Sequence, residues 1–159
     1  MPQRNRGSLE RVNMKTDIET RADIDRLMHL FYERAMSDPV IGYIFTDVAH
    51  LDLEHHLPII GDFWESLLFG TPAYARHSRN PLQVHKQLHT KSALTQEHFE
   101  RWLEIFTATV DDLFTGERAD YLKIRAGAIA ARMLEFLGVG NAASIRPAKN
   151  PAADQPRPR

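Results

Sequence analysis

Two histidines of this chain fall on the apolar stripes of two separate short helical segments, and no other feature constrains the fold as much. In DLEHHLPIIGDFWESLLFG, His56 lies four residues before Ile60 and eight before Trp64. In NPLQVHKQLH, His85 lies three residues after Leu82 and three before Leu88. Positions three, four, seven and eight apart share one face of a helix. Both imidazoles therefore point where core side chains point, and an unpaired polar group there is costly. Two such histidines amid Phe, Trp and Ile imply that something lies between the two helices. A flat, mostly apolar cofactor with a metal at its centre fits that space.

The remainder of the chain reads as helix. Ile24, Leu27, Met28, Phe31 and Ala35 follow the helical period, with Thr16–Glu19 or Thr20–Asp23 as the cap upstream. Asp38-Pro39 ends this segment, because a residue before proline disfavours the helical region. PVIGYIF comes next as an apolar connector. Asp52 can cap the helix bearing His56, and Pro58 inside it predicts a kink or an irregular first turn. Residues 71–80 read as a loop, and Asn80-Pro81 opens the helix bearing His85. Thr95 caps the cleanest amphipathic stretch, whose face is Phe99, Trp102, Leu103, Phe106, Val110 and Leu113. The last helix ends at Gly138. No stretch alternates as a strand does, so the fold class is all-α. Residues 1–16 read as a flexible N-terminal arm and 17–140 as one domain. Residues 141–159, with four of the nine prolines, read as a disordered tail.

Composition removes several classes of function. With no cysteine, disulfides, thiolate catalysis, Cys-bound zinc and iron–sulfur clusters are excluded. A net charge of −1 gives no case for nucleic acid as partner. No signal-peptide core and no run of membrane-spanning length is present, so a cytoplasmic chain with no membrane partner is expected. His85 and His89 form an HxxxH pair that could hold zinc, but the acidic partner of the metalloprotease motif is missing.

A small all-α domain around a flat apolar cofactor has haem as its candidate, with one proximal histidine and an open sixth position. At this point the segments LFYERAMSDPVIGYIF, HHLPIIGDFWESLLFG, NPLQVH and LTQEHFERWLEIF, in that order, resemble the bacterial group III truncated haemoglobins. The resemblance runs from about residue 20 to about residue 137. It implies a truncated globin, a two-over-two helical sandwich around haem b.

Carried over residue by residue, the resemblance makes His85 the metal ligand, with His89 one turn later as the alternative. It places Tyr32, His56 and Trp102 on the ligand-binding side as the candidate catalytic residues. Phe45 would pack on the haem, and Ile60 and Phe63 would add apolar contact. Arg76 and Arg79 are candidates to pair with the haem carboxylates, since Arg suits that geometry. The expected ligands are O₂, NO and CO. Tyr32 and Trp102 can each donate a hydrogen bond to such a ligand, and two donors slow its release. Slow release suits NO dioxygenase or peroxidase-type chemistry, which needs a separate reductase because no Gly-rich phosphate loop is present. The alternative is a haem-based gas sensor, or an oxygen-binding or storage protein without turnover.

Overall fold

The computed structural model describes residues 14–145, so the expected arm up to residue 13 and the tail from residue 146 lie outside the described residues. Five α-helices carry the architecture: α1 (Arg21–Met36), α2 (Leu53–Phe69), α3 (Pro81–Lys91), α4 (Gln96–Leu113) and α5 (Glu117–Leu137). Among the described residues there is no strand, and no helix is long and apolar enough to cross a membrane.

Each helix but the last begins where its sequence supplies a side-chain cap. Thr20 and Asp23 form a reciprocal capping box at α1, which decides between the two caps available upstream. Asp52 accepts the His55 N–H at α2, and Asn80 accepts the Leu82 N–H at α3. Thr95 and His98 cap α4 reciprocally, with an imidazole Nδ1 in the place usually taken by a Glu carboxylate. Helix α5 ends at Gly138 in the left-handed conformation, and the Val139 N–H bonds back to the Leu134 carbonyl. Helix α2 continues through Pro58 in one piece.

The two connections contain more structure than a connector and a loop. Ile44–Val48 winds as a short π-helical turn, and Ala73–Arg76 as a 3-10 turn. Ahead of the first, Asp38 is buried just after α1. Its Oδ2 accepts the N–H groups of Val40 and Ile41, and its Oδ1 accepts two N–H bonds from Arg101 of α4. Gly42 then passes close beneath the end of α1. A Cβ at that residue would lie 2.6 Å from the Met36 carbonyl oxygen.

Helices α1 and α2 pack as one pair and α4 and α5 as the other, and α1 joins the pairs by lying on α4. This is the two-over-two sandwich that the resemblance implies. Phe31, Phe106, Leu27, Met28, Val110 and Leu122 fill its centre. At the C-terminal end, Ala142–Ser144 forms a 3-10 turn and Ile145 is buried, so packed chain continues past Gly140.

Candidate functional site

Helix α3 carries apolar Val84 and Leu88 on the face of His85, yet none of its residues is fully buried. Helix α2 is apolar over most of its length and fully buries only Gly61 and Trp64. Both faces turn instead onto a cavity of about 340 Å³ between α2, α3, α4 and the turn after α1. That size is within the ordinary range for a small-molecule or cofactor site. Phe45, Ile60 and Phe63 contribute to one side, Val84, Leu88 and Leu94 to another, and Ile129 and Met133 of α5 to the floor.

His85 lines the cavity, and its Nδ1 lies 2.7 Å from the Pro81 carbonyl one turn earlier. A carbonyl can only accept, so Nδ1 carries the proton and Nε2 keeps its lone pair. Burial pulls the imidazole below its ordinary pKa, against the opposing pull of the Pro81 hydrogen bond. The ring is thus neutral at physiological pH. His89 is elsewhere: its Nδ1 accepts the Leu94 N–H at 2.9 Å, and its ring tidies the end of α3. Of the two histidines, only His85 faces the cavity.

Across the cavity, the Tyr32 hydroxyl lies 2.8 Å from His56 Nε2, with the two rings edge to face at 5.2 Å. Burial first, then the positive charge of Arg79, holds the His56 pKa down at about 4. Burial likewise pushes the Tyr32 hydroxyl well above its ordinary value. Both groups are therefore neutral across the physiological range, and one bond joins them. If His56 carries its proton on Nδ1, the tyrosine donates to Nε2. If the proton is on Nε2, the imidazole donates to the phenol oxygen and the tyrosine O–H is free to serve the cavity. Phe45 stands edge-on to Tyr32 at 5.9 Å.

Trp102 completes this side. Its ring stacks on Phe106 at 5.3 Å and meets the edge of Phe31 at 5.9 Å, so packing fixes it. Tyr32, Phe45, His56, Ile60, Phe63, Arg79, His85 and Trp102 all come together on the one cavity. Arg76 does not reach it: its Nε points to the Ala73 carbonyl at 3.3 Å. Arg79 and Lys91 are exposed and line the cavity, so their positive charge lies at its mouth.

Several contributors were not singled out in the sequence. Tyr74 lines the cavity from a segment that reads as plain loop. His98 lines it while capping α4, and its Nε2 lies 3.3 Å from the exposed Tyr43 hydroxyl. Ile129 and Met133 lie on the ordinary apolar face of α5, which carries no sign of a ligand. Among the described residues no group of three or more His, Asp or Glu side chains is placed to hold a metal ion. A metal here needs a cofactor to supply most of its ligands. The donor set fits such a group: one neutral imidazole with a locked tautomer, apolar walls, and cations at the rim.

No family model matches the chain. A search of curated proteins finds the group 3 truncated hemoglobin ctb of Campylobacter jejuni, 29% identical over 127 residues, which are 78% of this chain and 95% of that protein. The crystal structure of a group III truncated hemoglobin from Campylobacter jejuni superposes with a TM-score of 0.67 at 29% identity, again covering 78% of this chain and 95% of the other. The resemblance read from the sequence and the truncated-globin fold are both borne out.

Proposed function

We propose that this chain is a haem protein of the group III truncated haemoglobin kind, which binds O₂, NO and CO in the cavity between His56 and His85. The observation that carries the reading is His85, with Nδ1–H tied to the Pro81 carbonyl and Nε2 left basic. The hydrogen bond behind the ring sets which nitrogen can coordinate and strengthens it as a donor. With no cysteine, thioether attachment of a haem is excluded, and the likeness to the truncated haemoglobins favours haem b as the cofactor. When bound, haem supplies an iron whose open position takes a diatomic molecule. Phe45, Ile60 and Phe63 would give it apolar contact, and Arg79 at the mouth would pair with its carboxylates.

On the opposite side the chain's own groups set affinity. Tyr32 presents O–H to the cavity when His56 holds its proton on Nε2, and Trp102 presents an indole N–H that can only donate. Neutral His56 orients the phenol without bringing a charge. Two converging donors favour slow release of a polar diatomic ligand, which suits NO dioxygenase or peroxidase-type turnover better than oxygen delivery. Electrons would come from a separate reductase in the cytoplasm.

The test is NO consumption by the haem-loaded, O₂-equilibrated protein with a chemical or enzymatic reductant. Rapid stoichiometric nitrate supports the enzyme. Ligand binding with no nitrate above background rejects turnover and leaves the storage or sensing role.

A further inference from the structure

The segment joining α2 to α3 is mostly polar, yet it carries two residues of the cavity wall, Tyr74 and Arg79. Three polar contacts hold it, and all of them fall on one stretch of α2. The Thr71 hydroxyl donates to the Glu65 carboxylate at 3.1 Å, and the Tyr74 backbone N–H donates to Ser66 Oγ at 2.8 Å. His77 Nε2 lies 2.8 Å from Asp62 Oδ2. The other oxygen of Asp62 accepts from Arg21 of α1 at 2.6 Å, so one half-buried carboxylate ties α1, α2 and this segment together. Burial opposes ionisation of Asp62, but the bonds from His77 and Arg21 win and hold its carboxyl below the usual range. The Tyr74 ring leans on this brace, edge-on to Phe63 at 5.1 Å and 5.9 Å from the His77 ring.

The residues immediately after His77 give the brace its consequence. Arg79 comes two residues later, then Asn80, which caps α3, then Pro81, whose carbonyl takes the His85 Nδ1–H. Nothing between His77 and the cap is buried. His77 is thus the last side-chain anchor before the helix that carries the metal ligand. An untethered segment of this length samples many conformations at an entropic cost that binding must then meet.

We infer that the Asp62–His77 pair, backed by Arg21, is a positioning device for the cofactor: it holds Arg79 at the cavity mouth and fixes the start of α3, and through Pro81 the ring of His85. The inference rests on the haem reading above and adds residues that touch neither cofactor nor ligand.

The experiment loads hemin into the wild type, His77→Ala, His77→Gln, Arg79→Ala and the His77→Ala/Arg79→Ala double variant. Three readouts are taken: hemin transfer to excess apomyoglobin, Tm of the cofactor-free protein, and the iron–imidazole stretching band of the reduced protein. His77→Ala loses hemin roughly tenfold faster, the size of effect seen when outer partners of a metal site are removed. Its iron–imidazole band shifts or broadens. His77→Gln, whose amide can still donate to Asp62, restores both. The double variant loses hemin more slowly than the product of the single effects predicts, because both act through Arg79.

Hemin loss within about twofold of wild type and an unshifted band in His77→Ala would overturn the inference, as would fully multiplicative single effects. A general loss of stability would lower Tm in His77→Ala without moving the band, and that too counts against it. Should His77→Ala not fold, Asp62→Asn, which keeps the shape and removes the charge, is read against the same limits. A wild-type chain that takes up no hemin overturns the haem reading itself.

Discussion

Replacing Tyr32 by Phe removes one oxygen and, with it, two separable contributions. The first is the 2.8 Å bond to His56, whose Nε2 is left without its partner in a half-buried site. A neutral hydrogen bond of this kind is worth about 1 kcal/mol of folding stability, so Tm falls by roughly 3–6 °C for a domain of this size. The second is the donor offered to a ligand in the cavity. A bond to a neutral acceptor contributes about 0.5–1.5 kcal/mol and one to a charged acceptor about 1.5–3 kcal/mol. At ~1.4 kcal/mol per factor of ten, release of O₂ quickens roughly threefold to a hundredfold. Stopped-flow displacement of O₂ from the reduced protein reads this directly. Trp102→Phe tests the other donor in the same assay, although its loss also loosens the stack on Phe106. If Tyr32→Phe, Trp102→Phe and the double variant all release O₂ at the wild-type rate, the two-donor account is refuted.

Gly42→Ala places a Cβ 2.6 Å from the Met36 carbonyl, and backbone cannot give way cheaply there. We expect a loss of about 1–3 kcal/mol in urea denaturation, with hemin affinity falling as Phe45 moves. Acid should weaken the fold in two stages. The folded pKa of His56 is held at about 4, below its ordinary 6.5, so its contribution is present above the ordinary value and is lost as pH falls from there towards about 4. Asp38 is also held below its ordinary value, first by the Arg101 bonds, so its contribution persists at higher pH and is lost below the usual carboxylate range. His56→Leu should shrink the upper stage, to which His85 also contributes, and Asp38→Asn the lower one, to which Asp62 also contributes, in urea midpoints measured against pH. Unchanged midpoint curves in both variants would contradict these assignments.

The helices were legible because each carries its own punctuation. Thr20 with Asp23, Asp52, Asn80-Pro81, Thr95 and Gly138 all act locally, and local chemistry is what a sequence displays. The histidine stripes were legible for the same reason, since His85 faces the cavity as helical spacing requires. The unreadable features depend on contacts between distant residues. The chain just after α1 is braced by Asp38 and Arg101, which are 63 residues apart. Arg76 and Arg79 look alike in sequence; in the fold Arg76 turns back to the Ala73 carbonyl while Arg79 lines the cavity. Asp62 and His77 give no motif at all, and their pairing is visible only once the segment after α2 folds back on that helix. His98 is not legible as a cap because an imidazole stands where the usual pattern has Glu or Gln.

The role of His85 is tested most directly by titrating hemin into the cofactor-free chain and following the Soret band in the wild type, His85→Ala and His89→Ala. A sharp band at one equivalent in the wild type, kept in His89→Ala and lost or shifted to a weakly ligated form in His85→Ala, is the expected result. A wild type that stays colourless, or a His85→Ala spectrum identical to it, would contradict the assignment of His85 as the iron ligand.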